Sequence, residues 1–266
     1  MNYVSLEIFD LAAAALLILI NGAISVLFSL GIARSLVLAS IRMCVQLSAV
    51  GFVLRYIFAQ SAFWLVLLIA IIMAMVAGYE VMSRQKFRFA GFWGYGIGAT
   101  ALFVAGFTTL LFALLIVVNP DPWYQPRYVL PILGMILGNI LTAVALGLNT
   151  LLTTARRESL SIEARLALGY TWSEASKPIV RDALLTAMMP IINAMAASGI
   201  VALPGMMTGQ ILAGIEPVEA VKYQIAIMFL IAGATAMGAL VSVLIANRRL
   251  SDDRQRLRLD RIAHKN

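Results

Sequence analysis

The sequence predicts an all-α, polytopic membrane protein with about seven transmembrane helices and a polar helical loop on the cytoplasmic side. Of its 266 residues, 62% are hydrophobic and 12% are charged, whereas soluble domains average roughly 45–50% apolar and about 25% charged residues. The apolar residues are concentrated in seven long stretches, and basic residues lie between them. A soluble fold of this length has too little interior for so many apolar side chains, so we expect a lipid bilayer to surround it.

Each of the seven stretches is long enough to cross the hydrocarbon core, which requires about 20 mostly apolar residues. The stretches cover residues 6–31, 37–58, 62–82, 91–118, 128–151, 183–214 and 222–246. No polar block between them is long enough for a second domain. We therefore expect one transmembrane domain over residues 1–250, with a cytoplasmic loop at 152–182, and a basic cytoplasmic tail at 251–266.

The basic residues alternate between the two sides of these stretches. Of the 20 Lys and Arg residues, 17 fall on one side, and Arg55, Arg127 and Lys222 fall on the other. Cytoplasmic loops carry an excess of Lys and Arg, which predicts an outside N-terminus and a cytoplasmic C-terminus. The expected location of the chain is a bacterial inner (plasma) membrane. The basic tail is explained by topology signalling on a solvated helix, or by contact with anionic membrane lipid or a protein partner. The net charge of +7 therefore needs no nucleic-acid partner.

Several kinds of chemistry are excluded by the residue inventory. The chain has one cysteine, Cys44, and one histidine, His264, too few for a disulfide, a zinc cage or a histidine-based catalytic site within the membrane. It contains no Gly-Lys dipeptide and therefore no phosphate-binding P-loop. We expect a chain that is not an enzyme and binds no cofactor, so any ATP and Mg²⁺ would be bound by a separate subunit.

The loop at 152–182 predicts two short helices joined by a tight turn. The first runs from about Glu158 to Leu168 and ends at Gly169, a residue suited to the left-handed position after a helix. A second begins with a capping box at Thr171 and is expected to be kinked or ended by Pro178.

Two apolar stretches carry the same pattern, Gly-Met-x-x-Gly followed by an amide residue. Two interpretations remain open, and both can hold. Glycines four residues apart allow helices to approach closely in lipid, which predicts packing at Gly134, Gly138, Gly205 and Gly209. The other residues suggest a substrate path in the outer half of the membrane, where thioethers favour soft metal ions: Met135, Asn139, Met206, Met207 and Gln210. Pro190 and Pro204 are expected to break the long sixth stretch, as in helices that line a transport cavity.

Three further polar residues lie within or at the ends of apolar stretches: Arg42, Gln46 and Glu80. Ionisable groups in such positions are functional candidates. Extension of the side chain to the membrane interface is an equally good explanation for Arg42 and Glu80.

Within the loop, Glu163-Ala164-Arg165 followed by Gly169 resembles the EAA loop of ABC-transporter permeases, in which a short helix docks into a cleft on an ATPase. The resemblance implies an ATPase-coupling role for Glu163, Ala164, Arg165, Leu168 and Gly169. On the local match alone, an ordinary amphipathic loop helix is the open alternative, because two positions depart from the motif. Arg165 stands where the motif has a second Ala, and the Leu-Pro pair expected after Ile179 is absent.

Five segments together resemble the FetB family of permeases, a UPF0014-like group related to plant aluminium-tolerance permeases. The segments are 46–58 (QLSAVGFVLRYIF), 131–139 (PILGMILGN), 163–169 (EARLALG), 180–190 (VRDALLTAMMP) and 199–224 (GIVALPGMMTGQILAGIEPVEAVKYQ). The resemblance covers most of the chain from about residue 40 to 250. It implies an ABC-type permease that forms a homodimer and works with two copies of a cytoplasmic P-loop ATPase.

The substrate is left open by the same resemblance. Bacterial relatives are associated with iron export, and plant relatives with aluminium tolerance, through nucleotide-sugar transport in one interpretation. The identity of any metal is therefore unknown at this stage. Besides an ABC exporter of metal, the alternatives are an ABC exporter of an organic substrate such as a nucleotide sugar, or a secondary transporter or channel that uses no ATPase.

Overall fold

A computed structural model describes residues 7–60 and 62–264 as an almost entirely helical chain. Seven of its helices are long and apolar enough to span a membrane, which confirms the predicted fold class. In chain order the elements are α1 (Ile8–Leu27), α2 (Ala33–Gln60), α3 (Phe63–Arg84), β1 (Phe87–Phe89), α4 (Trp93–Phe112, continued by a π-helical turn at Ala113–Val117), α5 (Pro126–Arg157), α6 (Ser159–Ala167), α7 (Trp172–Ala197), α8 (Gly205–Leu212), α9 (Pro217–Arg249), a 3-10 turn (Leu259–Arg261) and β2 (Ile262–His264).

The chain divides into two compact units, of which the first comprises residues 1–61. Its described part is a pair of helices, α1 and α2, joined by a short turn in which Ser29 and Gly31 have positive φ angles. The Ser25 hydroxyl accepts a hydrogen bond from the Ile32 backbone N–H at 3.2 Å. Nearly all described side chains of α1 and α2 are exposed, as expected for helices whose surroundings are lipid or another protein surface.

The second unit, residues 62–266, is built around α5. This helix packs against α3, α4, α7 and α9, and its inward face is fully buried at Ile140, Val144 and Leu151. Small residues bring the neighbouring helices close. A Cβ atom placed on Gly238 of α9 would lie 2.5 Å from Ile140 Cγ2. At this position α9 and α5 are therefore too close for residue 238 to carry a side chain.

The predicted sixth stretch, 183–214, is not a single helix. α7 begins earlier, at Trp172, and ends at Ala197, and the shorter α8 follows after an irregular segment. Pro204 caps the start of α8, and Gly199 adopts a φ of +85°, so the helix is interrupted near Pro204, as predicted. It does not break at Pro190, which lies inside α7, because neighbouring helices and local adjustment can satisfy the backbone groups that a proline leaves free in a membrane helix.

The expectation of a second short helix after Thr171 is also wrong. Thr171 does cap a helix, and its capping box with Glu174 is present, but that helix is α7 itself, which continues through Pro178. The missing N–H of Pro178 removes one bond from a helix of 26 residues, and the remaining bonds maintain it.

The described part of the basic tail is folded and is not a helix extending into solvent. β2 pairs antiparallel with β1, with Phe87 opposite His264 and Phe89 opposite Ile262. Arg261 Nη1 donates hydrogen bonds to the backbone oxygens of Arg249 and Ser251 at 2.8 and 2.9 Å. The tail therefore returns to the end of α9 and is fixed to the connection between α3 and α4.

Candidate functional site

The loop helix α6 connects two of the long helices almost directly. A single residue, Glu158, separates it from the end of α5, and Gly169 follows its last turn with a φ of +90°. Gly169 N–H donates to Leu166 O, and Tyr170 N–H donates to Arg165 O, so the turn closes the helix with a glycine in the left-handed conformation. Any displacement of α6 is therefore transmitted to α5 and α7 through only a few residues.

One side of α6 is anchored and the rest is accessible. Ile162 is buried, whereas Leu160 and Leu168 are 81% and 78% exposed. Glu163 and Ala164 are exposed, and Arg165 is half-buried. The residues of the EAA-like motif thus lie together on an accessible helix, beside two leucines that no described part of this chain covers.

The tail reaches the start of α7 next to this helix. Gln255 Oε1 accepts a hydrogen bond from the Trp172 backbone N–H at 2.7 Å, one of the N–H groups that a helix start leaves without an internal partner. The Trp172 indole N–H donates to Asn247 O at 3.1 Å, and Asn247 Nδ2 donates to Ser176 Oγ at 3.0 Å. The start of α7, the end of α9 and the tail are therefore fixed to one another by hydrogen bonds between residues far apart in the sequence.

A groove of about 740 Å³ lies between α6 and the tail. Charges of both signs line it, because Glu163 and Asp253 are acidic while Arg254 and Arg256 are basic. The complete lining is Glu163, Leu166, Gly169, Tyr170, Thr171, Asp253, Arg254, Gln255, Arg256 and Leu257. A groove of this kind suits a protein surface with mixed charges better than a small apolar ligand.

The first Gly-Met motif lies on α5. Met135 and Asn139 are half-buried, and Asn139 Nδ2 donates to the Met135 backbone oxygen at 2.8 Å, so the amide N–H is satisfied within its own helix. A Cβ atom on Gly134 would lie 3.6 Å from Met73 Cε of α3, whereas one on Gly138 would have no neighbour within 4 Å. Among the described residues, Gly138 therefore makes no close helix contact.

The second motif lies on α8, which packs along α9. Met207 is 9% exposed and Met206 is half-buried. A Cβ atom on Gly205 or Gly209 would meet no atom within 4 Å among the described residues. The two motifs thus lie on different packing surfaces of one chain, and packing of these glycines against a second copy stays a prediction.

Two amide oxygens are buried without a hydrogen-bond partner among the described residues: Oε1 of Gln210 in the motif on α8 and Oε1 of Gln224 on α9. Gln224 lies on α9 and is only 8% exposed. The sequence prediction missed it, although an amide inside an apolar stretch was the available signal, since an unpaired polar group in hydrocarbon is costly.

The remaining polar candidates are placed differently. Arg42 and Gln46 are exposed on α2. Glu80 forms an ion pair with Arg84 at 3.4 Å, one turn further along α3, which gives it a structural partner near the helix end. Within residues 7–60 and 62–264 no three His, Cys, Asp or Glu side chains are grouped so as to hold a metal ion. The donors near the Gly-Met motifs are thioethers and amides, which fit brief contact with a substrate better than a resident metal.

Comparison with known proteins identifies the family. The profile of Uncharacterised protein family (UPF0014) matches residues 8–251. The chain belongs to this family. It is 32% identical to the Escherichia coli "Probable iron export permease protein FetB" over 93% of both chains. It is also 34% identical to the Synechocystis "UPF0014 membrane protein slr1647" over 86% of this chain and 87% of that protein.

A plant relative shares the same region. The Arabidopsis thaliana "Protein ALUMINUM SENSITIVE 3" is 32% identical over 87% of this chain and 82% of that protein. No solved structure matches the chain. The matches extend over nearly the whole membrane region, so the UPF0014 chain is a multi-pass membrane protein similar to one protein named as a probable permease.

Proposed function

We propose that this UPF0014 protein is the membrane permease subunit of an ABC transporter that exports a metal, with iron as the first candidate. α6 is its contact with a separate cytoplasmic P-loop ATPase, which binds the ATP and Mg²⁺. The observation that carries this proposal is the short helix α6, linked directly to α5 and α7, with Leu160 and Leu168 exposed by about four fifths. Exposed leucines on a short helix outside the apolar spans are typical of a surface that a partner covers.

The proposal includes an orientation and a second copy. The 17-to-3 distribution of basic residues supports a cytoplasmic position for α6 and the tail and an outside N-terminus. Gln46 is exposed in the span of α2, and an amide facing hydrocarbon is unfavourable. A homodimer in which the second copy covers α2 would remove that cost.

The ATPase contact is tested by replacing both exposed leucines of α6 with serine. The Leu160→Ser/Leu168→Ser variant should reach the membrane and melt like the original protein, because neither side chain is buried. Its co-purification with the cognate ATPase and its stimulation of ATP hydrolysis should both fall at least tenfold. Leu203→Ser, at an exposed leucine in the segment before α8, is the control. Unchanged co-purification and ATP hydrolysis in the α6 variant would overturn this assignment.

The substrate is tested at the methionines. Replacing Met135, Met206 and Met207 with leucine roughly preserves volume, and such changes usually cost under about 1.5 kcal/mol each. In proteoliposomes containing the ATPase, metal transport should drop while the melting temperature changes little. If metal transport is unchanged in this variant, the methionines serve only packing, and organic substrates such as nucleotide sugars become the next to be assayed.

A further inference from the structure

A cavity of about 510 Å³ lies where α9 ends, α4 begins and the tail folds back. It adjoins the α6 groove at Asp253, which lines both, and it includes no residue of the two Gly-Met motifs. Three arginines and the aromatic ring of Trp93 are among the residues that line it. Its lining residues are Trp93, Ile245, Arg248, Arg249, Ser251, Asp252, Asp253 and Arg261.

Arg249 is held in a position suited to binding an anion. Its guanidinium lies 4.6 Å from the centre of the Trp93 ring, an arrangement that fixes the plane of the group by cation–π attraction. Its Nε is buried and has no hydrogen-bond partner among the described residues. A buried, charged donor without a partner is unfavourable, so an anion close to this guanidinium would stabilise the site.

The neighbouring arginine of the tail is held in place by the fold. Arg261 Nη1 donates to the backbone oxygens of Arg249 and Ser251, which keeps the guanidinium in the cavity wall. Those bonds engage Nη1, and the planar guanidinium carries further donors on its other nitrogens. Arg248 is exposed at the cavity edge. Three positive groups thus surround one space.

The two acidic residues do not cancel this charge. Asp252 Oδ2 lies 2.8 Å from Arg256 and 3.6 Å from Arg258, and hydrogen bonds from Arg256 hold the pKa of Asp252 at about 2. Its negative charge is therefore compensated by arginines outside the cavity. Asp253 is exposed and leaves a net positive balance against Arg248, Arg249 and Arg261.

The location of the cavity at the ends of two membrane spans indicates which kind of anion it binds. Both α4 and α9 are membrane spans, and the cavity is at the ends of both. Phe92, which precedes Trp93 in the chain, is 80% exposed, and Leu244, about one turn before Arg248 on α9, is about half exposed. Trp93 is an aromatic residue of the type that lies at the level of lipid headgroups. An anion bound here would have apolar protein surface directly next to it.

We propose that this cavity binds the phosphate of an anionic phospholipid in the leaflet on the tail's side, with its acyl chains against the exposed apolar side chains of α4 and α9. Arg248, Arg249 and Arg261 bind the phosphate oxygens, since a guanidinium matches phosphate geometry. The lipid would connect the end of α9 to the tail, and the proposal does not depend on what the protein transports.

The test is native mass spectrometry of the purified full chain, with phosphatidylglycerol, phosphatidylcholine or inorganic phosphate added to the detergent solution. Phosphatidylglycerol adducts should predominate over phosphatidylcholine adducts. The Arg248→Gln/Arg249→Gln variant should bind phosphatidylglycerol many times more weakly, at roughly fivefold per arginine near a membrane surface. Lys177→Gln/Arg254→Gln removes the same charge outside the cavity and should bind as the original protein does.

Arg248→Gln alone, at an exposed residue, keeps the test decisive if the double variant fails to fold. Its affinity for phosphatidylglycerol should still fall roughly fivefold. Equal loss in the two double variants would show general charge attraction and overturn a defined site. Equal binding of phosphatidylcholine would overturn the selection of anionic lipid, and displacement of phosphatidylglycerol by millimolar inorganic phosphate would show a free-phosphate site instead.

Discussion

Gly238→Ala tests the packing at the centre of the bundle. The added Cβ would lie 2.5 Å from Ile140 Cγ2 and 3.6 Å from Val144 Cγ2. Ile140 is fully buried, and its Cγ2 branches directly from Cβ, so it cannot move aside without shifting χ1 or the backbone of α5. Either α9 must move away from α5 or Ile140 must leave its preferred rotamer.

Two effects of opposite sign determine how much Gly238→Ala changes the stability of the protein. Alanine in a helix interior gains about 0.5–1 kcal/mol over glycine, whereas overpacking a close-packed core costs typically 1–3 kcal/mol. We expect a net loss of about 1–2 kcal/mol for Gly238→Ala. Gly233, also on α9, has no atom within 4 Å of the corresponding Cβ position. Gly233→Ala should therefore leave stability unchanged or raise it by up to about 1 kcal/mol.

The assay is thermal unfolding of the purified chain in detergent, with the three proteins measured in one series. Gly238→Ala should melt several degrees below the original protein, and Gly233→Ala should melt at or above it. Ile140→Ala removes the clashing methyl group. It should therefore lower the melting temperature less in the Gly238→Ala protein than in the original protein. If Gly238→Ala melts as high as Gly233→Ala, the close contact of α5 and α9 is not as described.

Three further changes have outcomes fixed by the geometry. Gly169→Ala places a side chain at φ +90°, which costs roughly 1–2 kcal/mol with no clash, so ATPase stimulation should decrease while the protein still inserts into membranes. Gln255→Ala removes the acceptor for Trp172 N–H, which should cost about 1 kcal/mol and expose the tail to limited proteolysis. Asp252 and Asp260 have pKa values lowered to about 2 by bonds to Arg256 and Arg258 respectively. Their contribution to the stability of the folded tail is therefore present above about pH 4 and lost as the pH falls toward 2. Pepsin digestion of the tail across that range should show this loss. Asp252→Asn should reduce the pH dependence of the digestion.

The seven spans could be predicted because bilayer thickness fixes the length of an apolar stretch. The start of α7 could not, because Lys177, Arg181 and Asp182 make its first turns polar while the backbone remains helical. Hydropathy predicts where a helix leaves the hydrocarbon region of the membrane. The helix itself can continue beyond that point, and its end is determined by backbone hydrogen bonding. Thr171 was recognised as a cap, but the sequence alone gave no measure of how far the helix it starts would run.

The tail was predictable in charge and not in structure. Its strand β2 is three residues long and is stabilised by contacts far away in the sequence, such as pairing with β1 and the bond from Trp172 to Gln255. Gln255 has a φ of +58°, an uncommon conformation for this residue type, which tertiary contacts select. No local pattern encodes such a segment.

The glycines show most clearly why a motif and a contact are different things. Spacing drew attention to Gly138, Gly205 and Gly209, yet none has a described neighbour where its Cβ would be. Close approaches occur at other glycines, such as Gly98 beside Val81 and Gly238 beside Ile140, and neither of these belongs to the repeated motif. A Gly-x-x-x-Gly pattern predicts that one helix has a flat face, but a contact also requires a second helix that packs against that face. Which neighbour that is depends on how all the helices pack together. For the three open glycines, the flat face remains available to a second copy of the chain.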